Sequence, residues 1–283
     1  MRSGFFRADD GLSLYYRAVR SASAKASVVF VHGVGEHIGR YQSAFDWLAA
    51  RGYDCFGHDQ RGFGRSEGVR GDVAEFSRYV ADLETFLTEV VLKATDQPIV
   101  LFGHSMGSIV VLTRAMQTSP PCAGLMVFSC PLAVAQWSGK LGAALAGPVH
   151  HLLPGLMMPN FINPNALTND PEVVDAFRDD PYVFGKVSVN WLYEFARACR
   201  TIMRDPQAIS LPILIAHGSH DRIADARGAK WLFENIGSAD KHLEIFEGFR
   251  HELLNHIPVE RALVLECMYR WLEQHFKQRA SVP

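Results

Sequence analysis

The chain has 283 residues, 48% of them hydrophobic and 20% charged, a balance that suits a soluble globular protein with a sizeable core. That length allows one large domain or a domain carrying an insertion. A net charge of −2 and a pI of about 6.6 exclude a nucleic-acid or anionic-membrane partner held by bulk electrostatics. The opening residues, "MRSGFFRADDG", lack the apolar stretch of a signal peptide, and no segment is long and apolar enough to span a bilayer. Cys55, Cys122, Cys130, Cys199 and Cys267 are an odd count without C-x-x-C spacing. They read as reduced thiols of a cytoplasmic protein, not as metal ligands or disulfides.

In chain order, "GFFRA" and "LSLYYRAV" flank Asp9-Asp10-Gly11, which predicts a hairpin. A Ser/Ala-rich loop at 21–27 follows. Six short apolar runs then alternate with helical patterns: "SVVFVHG", "YDCFGHD", "PIVLFGHS", "GLMVFSC", "PILIAHG" and "HLEIFEG". Runs this apolar suit strands covered on both faces, as in a parallel sheet. Val73, Phe76, Val80, Leu83, Leu87 and Val90 recur at three- and four-residue steps, which predicts a helix over 73–91. "ARGAKWLFENIG" and "PVERALVLECMYRWLEQHFKQ" read as helices too. The expected fold is α/β, a mostly parallel sheet of about eight strands with helices on both faces.

The alternation breaks once. About eighty residues between "VFSC" and "PILIAHG" hold no convincing strand, only "SGKLGAALAGPVHHLLPGLMMPNF" and an apparent helix, "SVNWLYEFARACRTIMRD". This divides the chain into a core of 1–132 and 207–283 and an inserted helical cap of 133–206. A cap on the C-terminal side of the sheet covers the crevice where such sheets bind ligands. The alternative is a helical extension packed on one edge of the core. The apolar excess of "LGAALAGPVHHLLPGLMMPNF" suits either a small core within the cap or a lipid-facing surface.

The strand "PIVLFGHS" runs into Gly103-His104-Ser105-Met106-Gly107 and then a helix-like run. A sharp strand-to-helix turn forces the central residue into strained geometry with its hydroxyl above the sheet, and flanking glycines let neighbouring backbone pass close by. The helix N-terminus offers unpaired N–H groups to developing negative charge. The bland alternative is an ordinary glycine-rich turn. Serine needs a base and an orienting acid, expected in the order Ser…Asp/Glu…His. Asp221 stands just past "PILIA" and His251 just past the last strand, 116 residues after the serine and a further 30 on. Asp225 lies where a helix begins and reads as its cap. His150, His151, His242 and His256 read as structural. Oxyanion donors are expected from the backbone N–H groups of Met106, after the nucleophile, and Val34, after "VFVHG". No metal or cofactor is required.

Together these residues resemble the α/β-hydrolase superfamily and, within it, the monoacylglycerol lipase and lysophospholipase group, over nearly the whole chain. "HGVGEHIGRY", "HDQRGFGRSEG", "GHSMGS", "HGSHDRI" and "FRHELLN" are similar to that group's motifs. The resemblance implies a triad of Ser105, Asp221 and His251, an oxyanion hole at Val34 and Met106, and Glu36, Arg40, His104, Phe177 and Leu254 around the substrate. It implies a lipid or small-molecule ester substrate with medium or long acyl chains, and a lid that touches membranes transiently. Glu36 and Arg40 either contact the alcohol or pair with each other and brace the Val34 loop. Ser108 replaces the usual second glycine of the elbow. Phe177 stands where the group's lid often has tyrosine, and Leu254 where some members have a second histidine. The fold also hosts lysophospholipases, thioesterases, peptidases and acyltransferases, and non-catalytic binding modules.

Overall fold

The computed structural model describes residues 1–117, 122–133, 150–160 and 162–277. β1 (Arg2–Arg7) and β2 (Ser13–Val19) form an antiparallel hairpin. Gly11, in its turn, has φ +89°, a conformation a side chain would strain. β3 (Ala26–Val31), β4 (Tyr53–His58), β5 (Ile99–His104), β6 (Gly124–Phe128), β9 (Ile213–Gly218) and β10 (Lys241–Phe246) follow the six apolar runs. The eight strands form one sheet in the order β1-β2-β4-β3-β5-β6-β9-β10, and every pair from β4 to β10 is parallel. The reversal of strand order falls between β3 and β5, so the C-terminal ends of these two strands border the crevice where such sheets bind ligands.

Every residue of β3, β5 and β9 is buried, and alternate side chains enter opposite layers. Val29, Val31, Leu101, Val127 and Ile215 pack in one core. It is shared with α2 (Ser77–Phe86), α3 (Met106–Ala115) and α6 (Arg227–Asn235). Val28, Phe30, Val100, Phe102 and Leu214 pack in the other, with α1 (Gln42–Ala49) and α7 (Pro258–His275). The continuous apolar runs of the sequence therefore mark the central strands, which have no wet face, whereas the edge strands β1 and β10 are partly exposed.

Between β6 and β9 the described residues form α4 (Pro171–Asp179) and α5 (Val189–Arg204). Two strands also lie there, β7 (Met157–Pro159) and β8 (Lys186–Ser188), paired antiparallel. The sequence reading has no strand in this stretch; three residues are too few for alternation to register. Trp191, Leu192 and Ile202 of α5 join the core cluster that contains α3, so this helix is fastened to the sheet's helical layer. Residues 141–149 and 161 of the apolar stretch lie outside the described residues. In its described part Leu152, Leu153 and Leu156 are exposed. No helix among the described residues is long and apolar enough to cross a membrane.

The helix expected over 73–91 starts at Ser77, and Leu87–Val91 continues it as a π-helical turn. Residues 73–76 are diverted by tertiary bonds: the Asn190 amide donates to the Val73 carbonyl at 2.6 Å, and the Phe76 N–H donates to Glu194 Oε2 at 3.0 Å.

One residue of β4 carries a stability prediction. His58 is 1% exposed, lies against the rings of Phe6 and Phe86 at 5.7 and 4.9 Å, and has no hydrogen-bond partner at either ring nitrogen. Burial, helped by the nearby charges of His32 and Arg61, pushes its imidazole down to about 3. An unfolded histidine titrates at about 6.5. Between these values the unfolded chain binds a proton that the folded chain does not, so stability falls as pH drops below about 6.5. His58 alone contributes a loss of about 2 kcal/mol by pH 5. His58→Leu is expected to raise the unfolding free energy more at pH 5 than at pH 8. Parallel stability profiles for the variant and the parent would contradict this.

Candidate active site

β5 delivers Ser105 to the C-terminal edge of the sheet, and α3 begins at the next residue. Ser105 has φ +51° and ψ −120°, outside the regions that side chains favour. The flanking glycines permit this. A Cβ on Gly107 would lie 2.0 Å from the Val31 carbonyl oxygen, and one on Gly103 2.5 Å from that of Gly107. The turn is locked by the Ser105 N–H donating to the Phe128 carbonyl at 3.0 Å. The Ser105 carbonyl accepts from the Ser108 N–H at 2.9 Å and from Ser108 Oγ at 2.6 Å.

Asp221 and His251 come from the loops after β9 and β10. His251 Nδ1 donates to Asp221 Oδ2 at 2.7 Å, with both side chains buried. In the neutral ring this leaves Nε2 with the lone pair. Asp221 Oδ1 accepts the N–H groups of Ile223 and Ala224 at 2.8 and 2.9 Å, and His217 Nε2 lies 3.1 Å from Oδ2. Burial pushes the Asp221 carboxyl up, but the attraction of His251 and the hydrogen bonds from His217 and His251 outweigh it and hold it well below the usual carboxylate range. Asp225 sits elsewhere, accepting the Arg227 N–H at 2.8 Å at the start of α6.

Ser105, Val34 and Met106 line one apolar cavity of about 330 Å³ with Leu132, Trp191 and Phe195. That volume is in the range of small-molecule sites. Ser105 and His251 also line a smaller adjoining space with Gly33, Glu36 and Phe177. The Met106 N–H is the first of α3, beyond reach of any intrahelical carbonyl. The Val34 loop is held from behind. Glu36 Oε1 accepts the Gly33 N–H at 2.7 Å and the Tyr41 hydroxyl at 2.8 Å. His32 Nε2 accepts the Gln60 N–H at 2.8 Å, so its Nδ1 donates to the Gly33 carbonyl, 2.7 Å away.

Glu36 and Arg40 pair at 3.4 Å, and Arg40 also bonds Glu252, the neighbour of His251. His104 Nδ1 lies 3.0 Å from Glu36 Oε1 and its Nε2 3.3 Å from the His251 carbonyl. Both ring nitrogens therefore face acceptors. Burial pushes the His104 imidazole down, yet Glu36 more than compensates and the ring is held above its ordinary value. Burial raises the Glu36 carboxyl, but His104 and Arg40 bring it well below the usual range. This buried set of charges ties the loop after β3 to the loop after β10.

Phe177 lies under the Arg40 guanidinium at 4.6 Å and lines the smaller space. Leu254 is packed in the core beneath, beside Tyr41, Phe102 and Phe128, and lines neither space that Ser105 lines. Tyr41, Ser129, His217 and Glu252 also hold the site, and sequence reasoning missed all four. Glu252, adjacent to His251, and Tyr41 and His217, within "HGVGEHIGRY" and "HGSHDRI", carry a local signal; Ser129 carries none.

An eight-stranded, mostly parallel sheet with a serine on a strained strand-to-helix turn, beside a buried His–Asp pair, defines an α/β-hydrolase. Residues 22–257 match the family described as serine aminopeptidase, S33, and the chain belongs to this family of hydrolases. It is 33% identical over 254 residues to a monoacylglycerol lipase of Mycolicibacterium smegmatis, spanning 88% of each chain. It is 31% identical over 269 residues to the monoglyceride lipase of Homo sapiens, covering 94% of this chain and 88% of that one. Among solved structures, the monoacylglycerol lipase of Paleococcus ferrophilus superposes with a TM-score of 0.84 at 27% identity, over 93% of this chain and 99% of the other. The protein is thus a carboxylic ester hydrolase of the monoacylglycerol-lipase-like group.

Proposed function

We propose that the protein hydrolyses monoacylglycerols and related esters of medium- or long-chain acids through Ser105, His251 and Asp221. The observation that carries this reading is the placement of Ser105. Its strained turn lines both an apolar cavity of about 330 Å³ and the smaller space that His251 shares. Ser105 Oγ attacks the ester carbonyl as His251 Nε2 takes its proton. Asp221 holds the tautomer and stabilises the imidazolium. The N–H groups of Val34 and Met106 stabilise the oxyanion. The alcohol leaves with the proton from His251, and water releases the acid from the acyl-enzyme by the same route. The inserted segment acts as a cap, a role supported by its described residues Val187, Trp191 and Phe195, which line the same apolar cavity as Ser105. The exposed leucines 152, 153 and 156 support membrane contact through that cap.

The family's name, serine aminopeptidase, raises the aminopeptidase reading. Recognition of a free amine calls for an unengaged carboxylate. Among the described residues lining the larger cavity, the one charged side chain is Arg200. Glu36 and Glu252 in the smaller space are already bonded to His104, Arg40 and Asn255. The ester reading therefore stands ahead of it.

Headgroup preference is expected to be weak. Strong discrimination needs polar groups left unpaired by the wrong alcohol, and here Glu36 and Arg40 form an ion pair at 3.4 Å, with His104 and Glu252 as their further partners, while Phe177 is apolar. Each buried methylene contributes about 0.8 kcal/mol, so acyl length should dominate kcat/KM. The test compares monoacylglycerols with methyl esters of matched length. A glyceryl preference of about 100-fold or more, equivalent to ~2.7 kcal/mol, would overturn weak selectivity and indicate a dedicated glycerol subsite.

A further inference from the structure

We propose that Ser129 is a positioning residue for ester hydrolysis: its hydroxyl clamps the peptide carbonyl of His251 and so fixes the imidazole relative to Ser105. The proposal rests on the reading of Ser105 and His251 given above.

Ser129 is the first residue beyond β6 and is fully buried. Its φ is +51°, and among the described non-glycine residues only Ser105 shares a positive φ. Such a backbone strains any residue with a Cβ, and glycine would adopt it freely. What serine adds over glycine here is a hydroxyl, and that hydroxyl donates to the His251 carbonyl oxygen at 2.6 Å. The Ser129 N–H is fixed as well, donating to the Ala216 carbonyl at 2.9 Å on β9. The preceding carbonyl, that of Phe128, accepts the Ser105 N–H at 3.0 Å. A path of two hydrogen bonds and one peptide unit thus joins the backbone of Ser105 to that of His251.

The geometry explains why such a clamp matters. His251 stands on a loop after β10, and the Nδ1 bond to Asp221 restrains the ring alone. The Arg40–Glu252 pair and the Glu252 N–H, which donates to the Leu167 carbonyl at 2.7 Å, hold the next residue of the loop, whereas the Ser129 hydroxyl acts on the His251 peptide itself. The second donor to the His251 carbonyl, His104 Nε2, stands farther off at 3.3 Å. A misplacement of about 1 Å at reacting groups costs on the order of 100-fold in rate.

The test measures kcat and KM on a p-nitrophenyl ester, fluorophosphonate labelling rate and Tm for Ser129→Gly and Ser129→Ala, per mole of folded protein, with Ser105→Ala alongside. Glycine relieves the strained φ and alanine retains it, while both lack the hydroxyl. Positioning predicts that both lose about 10-fold or more in kcat and labelling rate with KM unchanged, and that the glycine variant is at least as stable as the alanine variant. A purely structural role predicts that glycine restores the parental rate, and that result would overturn the proposal. A loss carried by KM instead of kcat would overturn it too. If Ser129→Ala does not fold, the glycine variant decides alone. Activity surviving in Ser105→Ala would refute the underlying site, whereas an inactive Ser105→Ala beside a fully active Ser129→Gly would refute only the clamp.

Discussion

Replacing Ser105 with alanine is expected to lower kcat for ester hydrolysis by on the order of 10⁶-fold while leaving the fold intact. The loss is this large because, in the proposed mechanism, the serine, the base and the acid act as one unit. Without Oγ no acyl-enzyme forms, and what remains is cavity binding and the N–H groups at Val34 and Met106. Alanine keeps both the Cβ and the strained φ of +51° at this turn, so little stability should change. Ser108→Ala is the matched control. It removes one hydrogen bond to the Ser105 carbonyl, a bond worth about 1 kcal/mol, and should cost about tenfold in rate or less. A p-nitrophenyl ester assay at saturating substrate reads both. Ser105→Ala within tenfold of the parent would remove this residue from the reaction.

Asp221→Asn is expected to lower kcat by about 10⁴-fold. The carboxylate faces donors at both oxygens: the N–H groups of Ile223 and Ala224 at Oδ1, and His217 and His251 at Oδ2. An amide cannot accept at both positions. With its oxygen on the backbone N–H groups, its NH₂ would face His251 Nδ1 and favour the wrong tautomer. Asp225→Asn should leave activity near the parental value, since the Asp225 carboxylate bonds the backbone and guanidinium of the exposed Arg227 at the start of α6. A single rate comparison of the two variants decides the assignment, and a larger loss in Asp225→Asn would reverse it.

The centre of the sheet was legible in the sequence because its strands β3, β4, β5, β6 and β9 are covered on both faces. "SVVFVHG" and "PIVLFGHS" have no polar face to interrupt them, and they coincide with β3 and β5 to within one or two residues. The strands β7 and β8 were not legible, because they are three residues each and find each other across residues 160–185. The start of α2 was displaced for a related reason: Asn190 and Glu194, more than a hundred residues away, take the backbone groups that a first helical turn would use.

The site divides in the same way. Ser105, Asp221 and His251 were expected after strand ends, and they stand after β5, β9 and β10, with Asp221 and His251 2.7 Å apart. Tyr41 and His217 lie within "HGVGEHIGRY" and "HGSHDRI", but their contacts with Glu36 and Asp221, like that of Ser129 with the His251 carbonyl, are made by folding and cannot be read from those motifs. Glu36 and Arg40 could be read two ways from sequence. Their pairing at 3.4 Å, with Gly33 and Glu252 as further partners, is the bracing arrangement. A residue's offset from His251 does not fix which way its side chain turns, which is why Leu254 lies in the core and not at the cavity wall.

The most direct test of the account is to label the parent protein with a fluorophosphonate and map the adduct by peptide mass spectrometry. The account predicts a single phosphonylated residue, Ser105, with labelling abolished in Ser105→Ala and strongly slowed in Asp221→Asn. An adduct on any other serine, or none on a folded protein that hydrolyses esters, would contradict it.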